Sequence, residues 1–103
     1  MQHLQLKKYR FNKEKDLKLL EERNIGFQKV IDAIMEGKAL DFKKHHNQKR
    51  YSHQNIIYVH IEDQVYAVPC VKEEKDGYFL KTIIPDSKMR DVFFSNKKKG
   101  EKS

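Results

Sequence analysis

One cysteine and four scattered glycines stand in 103 residues, and each scarcity closes a class of function. A lone thiol at Cys70 forms no internal disulfide, which fits a reducing cytoplasm. It also sits in an apolar run, where cysteine serves as a small hydrophobe rather than a nucleophile. Glycines placed singly provide no loop to cradle a nucleoside triphosphate. No apolar run approaches the length of a membrane span, and Met1-Gln2-His3-Leu4 lacks the apolar core of a secretory signal. A soluble, cytoplasmic chain with no membrane partner is expected. Structural zinc wants thiolates or His pairs at helical spacing, and no His-Glu-x-x-His stretch occurs. No metal or other cofactor is expected. No internal repeat is visible.

Positive charge is abundant. Lys and Arg outnumber Asp and Glu by 22 to 15, a formal +7. Such a balance favours polyanionic partners, nucleic acid first among them, although it also keeps a small domain in solution. A chain of this length supports one core. The expected organisation is a single domain over 1–95, followed by a Lys-rich tail over 96–103 that has nothing to bury and should be disordered.

Periodicity and punctuation define the elements. Tyr9-Arg10-Phe11 alternates as an edge strand does, and Asn12 is a natural N-cap for a helix starting at Lys13, with Glu14 and Asp16 in its first turn. Leu17 and Leu20 lie three apart with Leu19 flanking, and Asn24 can take the left-handed conformation that ends the helix near Arg23. Phe27, Val30, Ile31 and Ile34 mark the apolar face of a second helix, with Gly37 as its stop. The period then becomes alternating. Leu40 and Phe42 point one way and Asp41 the other, in a strand Leu40–Phe42. The stretch from Lys43 to Gln54 reads as a basic, His-rich loop. Ile56–Ile61 and Val65–Val71 flank Glu62-Asp63-Gln64 as a hairpin, with Pro69 marking an edge or a bulge. Asp76-Gly77 turns the chain into a strand Tyr78–Ile84, and Met89, Val92, Phe93 and Phe94 suit one amphipathic turn packed back on the sheet. The sum is an α+β fold: a strand, two N-terminal helices, then an antiparallel sheet of about four strands, with helices on one face and the other face open.

The residues that could carry chemistry are basic and aromatic: His45, His46, Lys49, Arg50, Tyr51, His53, Tyr58, His60, Lys81, Lys88 and Arg90. Cleaving RNA without a metal requires a base for the 2′-hydroxyl, cations for the phosphorane and an acid for the leaving 5′-oxygen, and these residue types cover all three tasks. Alternation puts Phe79, Lys81 and Ile83 on one face of the last strand, and Tyr78, Leu80, Thr82 and Ile84 on the other. Tyr58 and His60 likewise share a face opposite Ile57, Val59 and Ile61. An exposed Lys on a sheet is most often only solubilising, and a strand His or Tyr most often packs across strands.

Tyr9-Arg10-Phe11-Asn12-Lys13-Glu14-Lys15, Glu21-Glu22-Arg23-Asn24-Ile25-Gly26-Phe27 and the Val30-Ile31 helix resemble the N-terminal half of the BrnT toxins of bacterial type II toxin–antitoxin systems. Leu40-Asp41, His46-Asn47, Tyr51, Gln54, Tyr66, Val68-Pro69 and Leu80-Lys81-Thr82-Ile83-Ile84-Pro85 are similar to one branch of that group, so the likeness runs from Tyr9 to Phe94. It implies a RelE-like fold and metal-independent endoribonuclease cleavage of mRNA. It also implies neutralisation by a cognate ribbon-helix-helix antitoxin, with operator DNA bound only through the antitoxin complex. The arginine that the resemblance leads one to expect after the last strand falls on Ser87, with Lys88 and Arg90 the nearest cations. On this reading Lys81 and Lys88 or Arg90 hold the scissile phosphate, His46 or His60 is acid or base, and Arg50 steers the strand with His45, Lys49, Tyr51 and Tyr58. The rival expectation is a catalytically weak module of the same fold that binds nucleic acid or protein.

Overall fold

A computed structural model describes residues 1–94 in full and 95–102 only as the course of a helix. The expected disordered tail over 96–103 falls outside the fully described residues. The fold is α+β: α1 (Gln2–Gln5), β1 (Lys8–Phe11), α2 (Lys13–Arg23), α3 (Phe27–Met35), β2 (Ala39–Lys44), β3 (Gln54–Ile61), β4 (Gln64–Lys72), β5 (Gly77–Leu80), β6 (Ile84–Pro85) and α4 (Ser87–Lys102).

The helix boundaries follow local chemistry. Asn12 caps α2, its side chain accepting from the Lys15 N–H at 2.9 Å, and Asn24 ends the helix in the left-handed region at φ 57°. Gly37 takes φ 80° just beyond α3. The N-cap of α3 is Gly26, which has no side chain to offer. The capping oxygen comes from the neighbouring helix, where Asp16 Oδ1 accepts from the Phe27 N–H at 2.7 Å. A Cβ on Gly26 would lie 2.8 Å from that same oxygen, so the missing side chain is what lets the carboxylate approach. On α2 it is Leu19 that is buried, while Leu17 and Leu20 stay largely exposed.

The sheet differs from the expected four antiparallel strands. Six strands form one mixed sheet in the order β1-β5-β4-β3-β2, and β6 pairs with β4 off that path. β1 joins by parallel pairing with β5, Lys8 beside Gly77 through Phe11 beside Leu80. The long excursion between these two strands is what a parallel neighbour needs. A helical turn, α1, also precedes β1. Its Leu4 is fully buried, and its carbonyl accepts from the Tyr9 hydroxyl at 2.6 Å; one apolar residue in four is too little periodicity to announce it.

Two irregularities reassign faces. β2 carries a bulge between Ala39 and Asp41, so Ala39 and Phe42 pack on the core while Leu40 does not belong to it. The second lies between β5 and β6. Cys70 pairs with Leu80 and Ala67 with Ile84, so three steps along β4 match four along its partner, and one residue is extra. Ile83 is therefore fully buried and Ile84 is 43% exposed, the reverse of simple alternation.

One face of the sheet meets α1, α2 and α3, where Leu4, Leu19, Phe27, Val30 and Ile34 pack on Ile57, Val59, Val68 and Leu80. The other face is not wholly open as expected. In place of one amphipathic turn, α4 crosses it near the β3–β4 turn: the Asp86 N–H donates to the Val65 carbonyl at 2.9 Å, and the Arg90 Nε donates to the Asp63 carbonyl. No helix is long and apolar enough to cross a membrane among the described residues.

Replacing Asp16 by Ala should cost about 1–3 kcal/mol, because it strands the Phe27 N–H. Leu17→Ala, one residue away but exposed, should stay within about 0.5 kcal/mol. Urea unfolding of both variants checks this, and equal midpoints would show that the Asp16 link does not hold the helices together.

Candidate functional site

The candidate residues fall in three places. His45, His46, Lys49, Arg50 and Tyr51 occupy the connection from β2 to β3, which joins the sheet where the His45 N–H donates to the Gln54 carbonyl at 3.0 Å. His60, Lys88 and Arg90 lie at the opposite end of β3, beside the turn into β4. Six residue steps separate Gln54 from His60, about 20 Å of strand, so His46 and His60 do not meet over one phosphate. Tyr58 and Lys81 lie between these ends.

The connecting loop is internally braced. Asn47 accepts twice, from the Arg50 N–H at 3.2 Å through its side chain and from the Tyr51 N–H at 2.9 Å through its carbonyl. His45 Nδ1 accepts from the Asn47 N–H at 3.1 Å, and the Gln48 amide donates to the His45 carbonyl. Planar groups then follow one another: His46 stacks on His45 with centroids 4.5 Å apart, His45 lies 4.4 Å from Tyr51, and the Arg50 guanidinium sits 5.4 Å over the Tyr51 ring. Desolvation of the His45 ring, with the neighbouring His46 adding to it, lowers the His45 pKa below its ordinary 6.5.

At the far end the cations are partly engaged. Arg90 spends its Nε on the Asp63 carbonyl and lies 5.7 Å over the Phe94 ring, while His60 meets the same ring edge-on at 5.1 Å. His60 is thus a packing partner of α4. Lys88 and Ser87 are exposed on the first turn of α4, which Asp86 caps by accepting from the Met89 N–H at 3.0 Å.

Between the two ends the face away from the core has Ile56, Ala67 and Pro69 buried, Tyr58 half-buried and Lys81 exposed at its edge. Tyr58 lies opposite Asp41 and Ala67, on the face away from the core, as its alternation with Ile57 and Val59 requires. Burial first, then the Asp86 carboxylate, raise the pKa of its phenol, and Lys43 works against them. The phenol therefore stays protonated at neutral pH and can donate a hydrogen bond. Lys81 enters beside Pro69, its N–H donating to that carbonyl at 2.8 Å, and its exposed Nζ stands 5.5 Å over the Phe79 ring. Pro69 pairs with Ile56 and Ala67 with Tyr58, so Lys81 and Tyr58 flank β4 two strand spacings and two residue steps apart, roughly 12 Å.

Lys43, Asp86 and Arg23 matter to this arrangement and were not singled out from sequence, whereas Phe94 was expected to pack back on the sheet and meets His60 there. Asp86 had a readable signal, an N-cap residue just after a proline. Arg23 had none: its guanidinium donates to the Ile83 carbonyl 60 positions away, at the bulge that follows Lys81. A groove of about 480 Å³ between β1 and the 73–77 turn holds no candidate residue. Two of its lining charges are paired, Arg10 with Glu73 at 2.8 Å and Asp76 with Lys7 at 3.3 Å. Burial pushes the Cys70 thiol up to about 12, which keeps it protonated and unreactive. No cluster of three or more His, Cys, Asp or Glu able to hold a metal ion occurs among the described residues.

No family model, curated protein or solved structure matches the chain.

His45 should titrate below 6.5 in an NMR pH series, and His46→Ala should return it part of the way. The sign for stability follows from linkage: the unfolded chain takes up this proton first, so stability declines as pH falls below the unfolded value near 6.5. A His45 midpoint at or above 6.5 would contradict the packed geometry of the ring.

Proposed function

We propose that this chain is the toxin of a type II toxin–antitoxin pair, with a RelE-like fold, and that it cleaves RNA without a metal at the Tyr58–Lys81 stretch of the sheet face away from the core. The observation that carries the reading is the placing of a protonated phenol, Tyr58, and an exposed cation, Lys81, on either flank of β4, with Lys43, itself 3.5 Å from Asp41, on the Tyr58 side. An exposed ammonium at that position can hold a phosphate oxygen, and the phenol can donate to the phosphorane or protonate the leaving 5′-oxygen. Lys88, on the first turn of α4, adds positive charge at the rim. Arg90, tied to the turn, positions α4 rather than the substrate. A +7 surface is best silenced by an acidic or amphipathic segment laid across the face away from the core, which is the role of the ribbon-helix-helix antitoxin. Operator DNA would then be met only through that complex.

A second reading, an RNA-binding module with little or no catalysis, is favoured by one specific observation. The two histidines suited to acid–base work lie toward opposite ends of β3, whose Gln54 and His60 are about 20 Å apart along the strand, and His60 packs against Phe94.

Purified protein should cleave single-stranded RNA in EDTA. Lys81→Ala should lower the rate roughly 10²-fold and leave the urea midpoint unmoved, since the side chain is exposed. Tyr58→Phe should slow cleavage while RNA affinity holds. RNA that is bound and left intact would select the binding module over the nuclease.

A further inference from the structure

We propose that the His45–Tyr51 loop is a stacking platform for the bases of single-stranded RNA, a contact separate from the Tyr58–Lys81 stretch of the sheet. The inference rests on the reading that the partner is RNA, but not on cleavage.

Four planar groups lie in series, His46 stacked on His45, Tyr51 tilted by 42° against His45, and Arg50 over Tyr51, spaced 4.5, 4.4 and 5.4 Å. The inner pair, His45 and Tyr51, is half-buried, and the outer pair, His46 and Arg50, is exposed. The series therefore ends in two faces onto which a further planar group can add, one imidazole and one guanidinium, both of which stack on nucleobases. The Asn47 and Gln54 hydrogen bonds hold the loop in this form, so little ordering remains to be done on binding. A depressed His45 pKa agrees with the geometry, because a neutral ring accepts His46 on its face without like-charge repulsion.

The surroundings suit a phosphate chain. No carboxylate occurs between Asp41 and Glu62, a span that contains Lys44, Lys49 and Arg50 besides Lys43, which pairs with Asp41 at 3.5 Å. An acidic peptide would be drawn to the same cations, but the ring series serves it no purpose. A duplex offers the phosphates and hides the base faces. Only an unpaired strand uses both features.

Anisotropy of a fluorescein-labelled oligouridylate, against an RNA duplex of the same length, in EDTA and over a salt series, tests the proposal. The single strand should bind more tightly. His46→Ala should weaken it on the order of tenfold without changing the salt slope, since stacking releases no counterion. His46→Phe, which keeps a flat ring, should restore affinity. Lys49→Ala should instead make the slope shallower by about 0.7. Circular dichroism matching the parent protein establishes that each variant is folded. Equal affinity for strand and duplex, or a folded His46→Ala protein with unchanged RNA affinity, would overturn the platform. So would polyglutamate binding that falls in His46→Ala while RNA binding does not, which would assign the loop to a protein partner. Cleavage of the same RNA is scored separately: tight, His46-dependent binding without cleavage removes the nuclease and leaves the platform, and cleavage with His46-independent binding does the reverse.

Discussion

The pairing of β3 with β4 is the constraint on which the rest of the molecule depends. The two strands are in register from Gln54 beside Val71 to Ile61 beside Gln64, and they are apolar on both faces where they cross the centre. Ile57, Val59 and Val68 meet the helices on one side, while Ile56, Val65 and Ala67 are buried on the other. A hairpin buried on two faces has no freedom of register, because a one-residue slip would exchange every side chain between the two environments. Each of β2, β5 and β6 then finds its place by adding to a template already set.

The outer flank of β4 shows how this template produces a functional surface. β5 and β6 both pair along it, and the extra residue between them turns Ile83 into the core, with the Ile83 carbonyl held by Arg23. Lys81 leaves the ladder at the start of this irregularity and projects from a backbone fixed by Pro69. A bulge beside a strand is a common way to re-aim a side chain, and here its rigidity comes from an arginine on a helix far away in sequence.

Charge is distributed with the same separation of roles. Carboxylates are matched along β1 and the 73–77 turn and around α3, where Lys29 meets Glu62 at 3.1 Å. The β2–β3 loop has none. At physiological ionic strength charges act over roughly 8 Å, and Ile56, level with Lys81, and Tyr58 lie two and four residue steps from Gln54, about 7 and 13 Å of strand, so the loop and the Tyr58–Lys81 stretch are neighbouring fields. A polyanion long enough to reach both would be held at two points.

The parts legible in the sequence are those decided within a few residues. The start of α2 at Asn12 and its end at Asn24, the stop of α3 at Gly37, the hairpin around Glu62-Asp63, and the shared face of Tyr58 and His60 all follow from caps, turns and alternation. So does the basic character of the loop after β2. Tertiary structure alone decided the parallel place of β1 beside β5, the bulges that reverse Ile83 and Ile84 and displace Leu40, the crossing of α4 over the far face, and the separation of His46 from His60. Each of these depends on contacts between segments tens of positions apart. A side chain's local pattern says which face it prefers; only the partner strand, the extra residue or the arriving helix settles which other groups it will meet there.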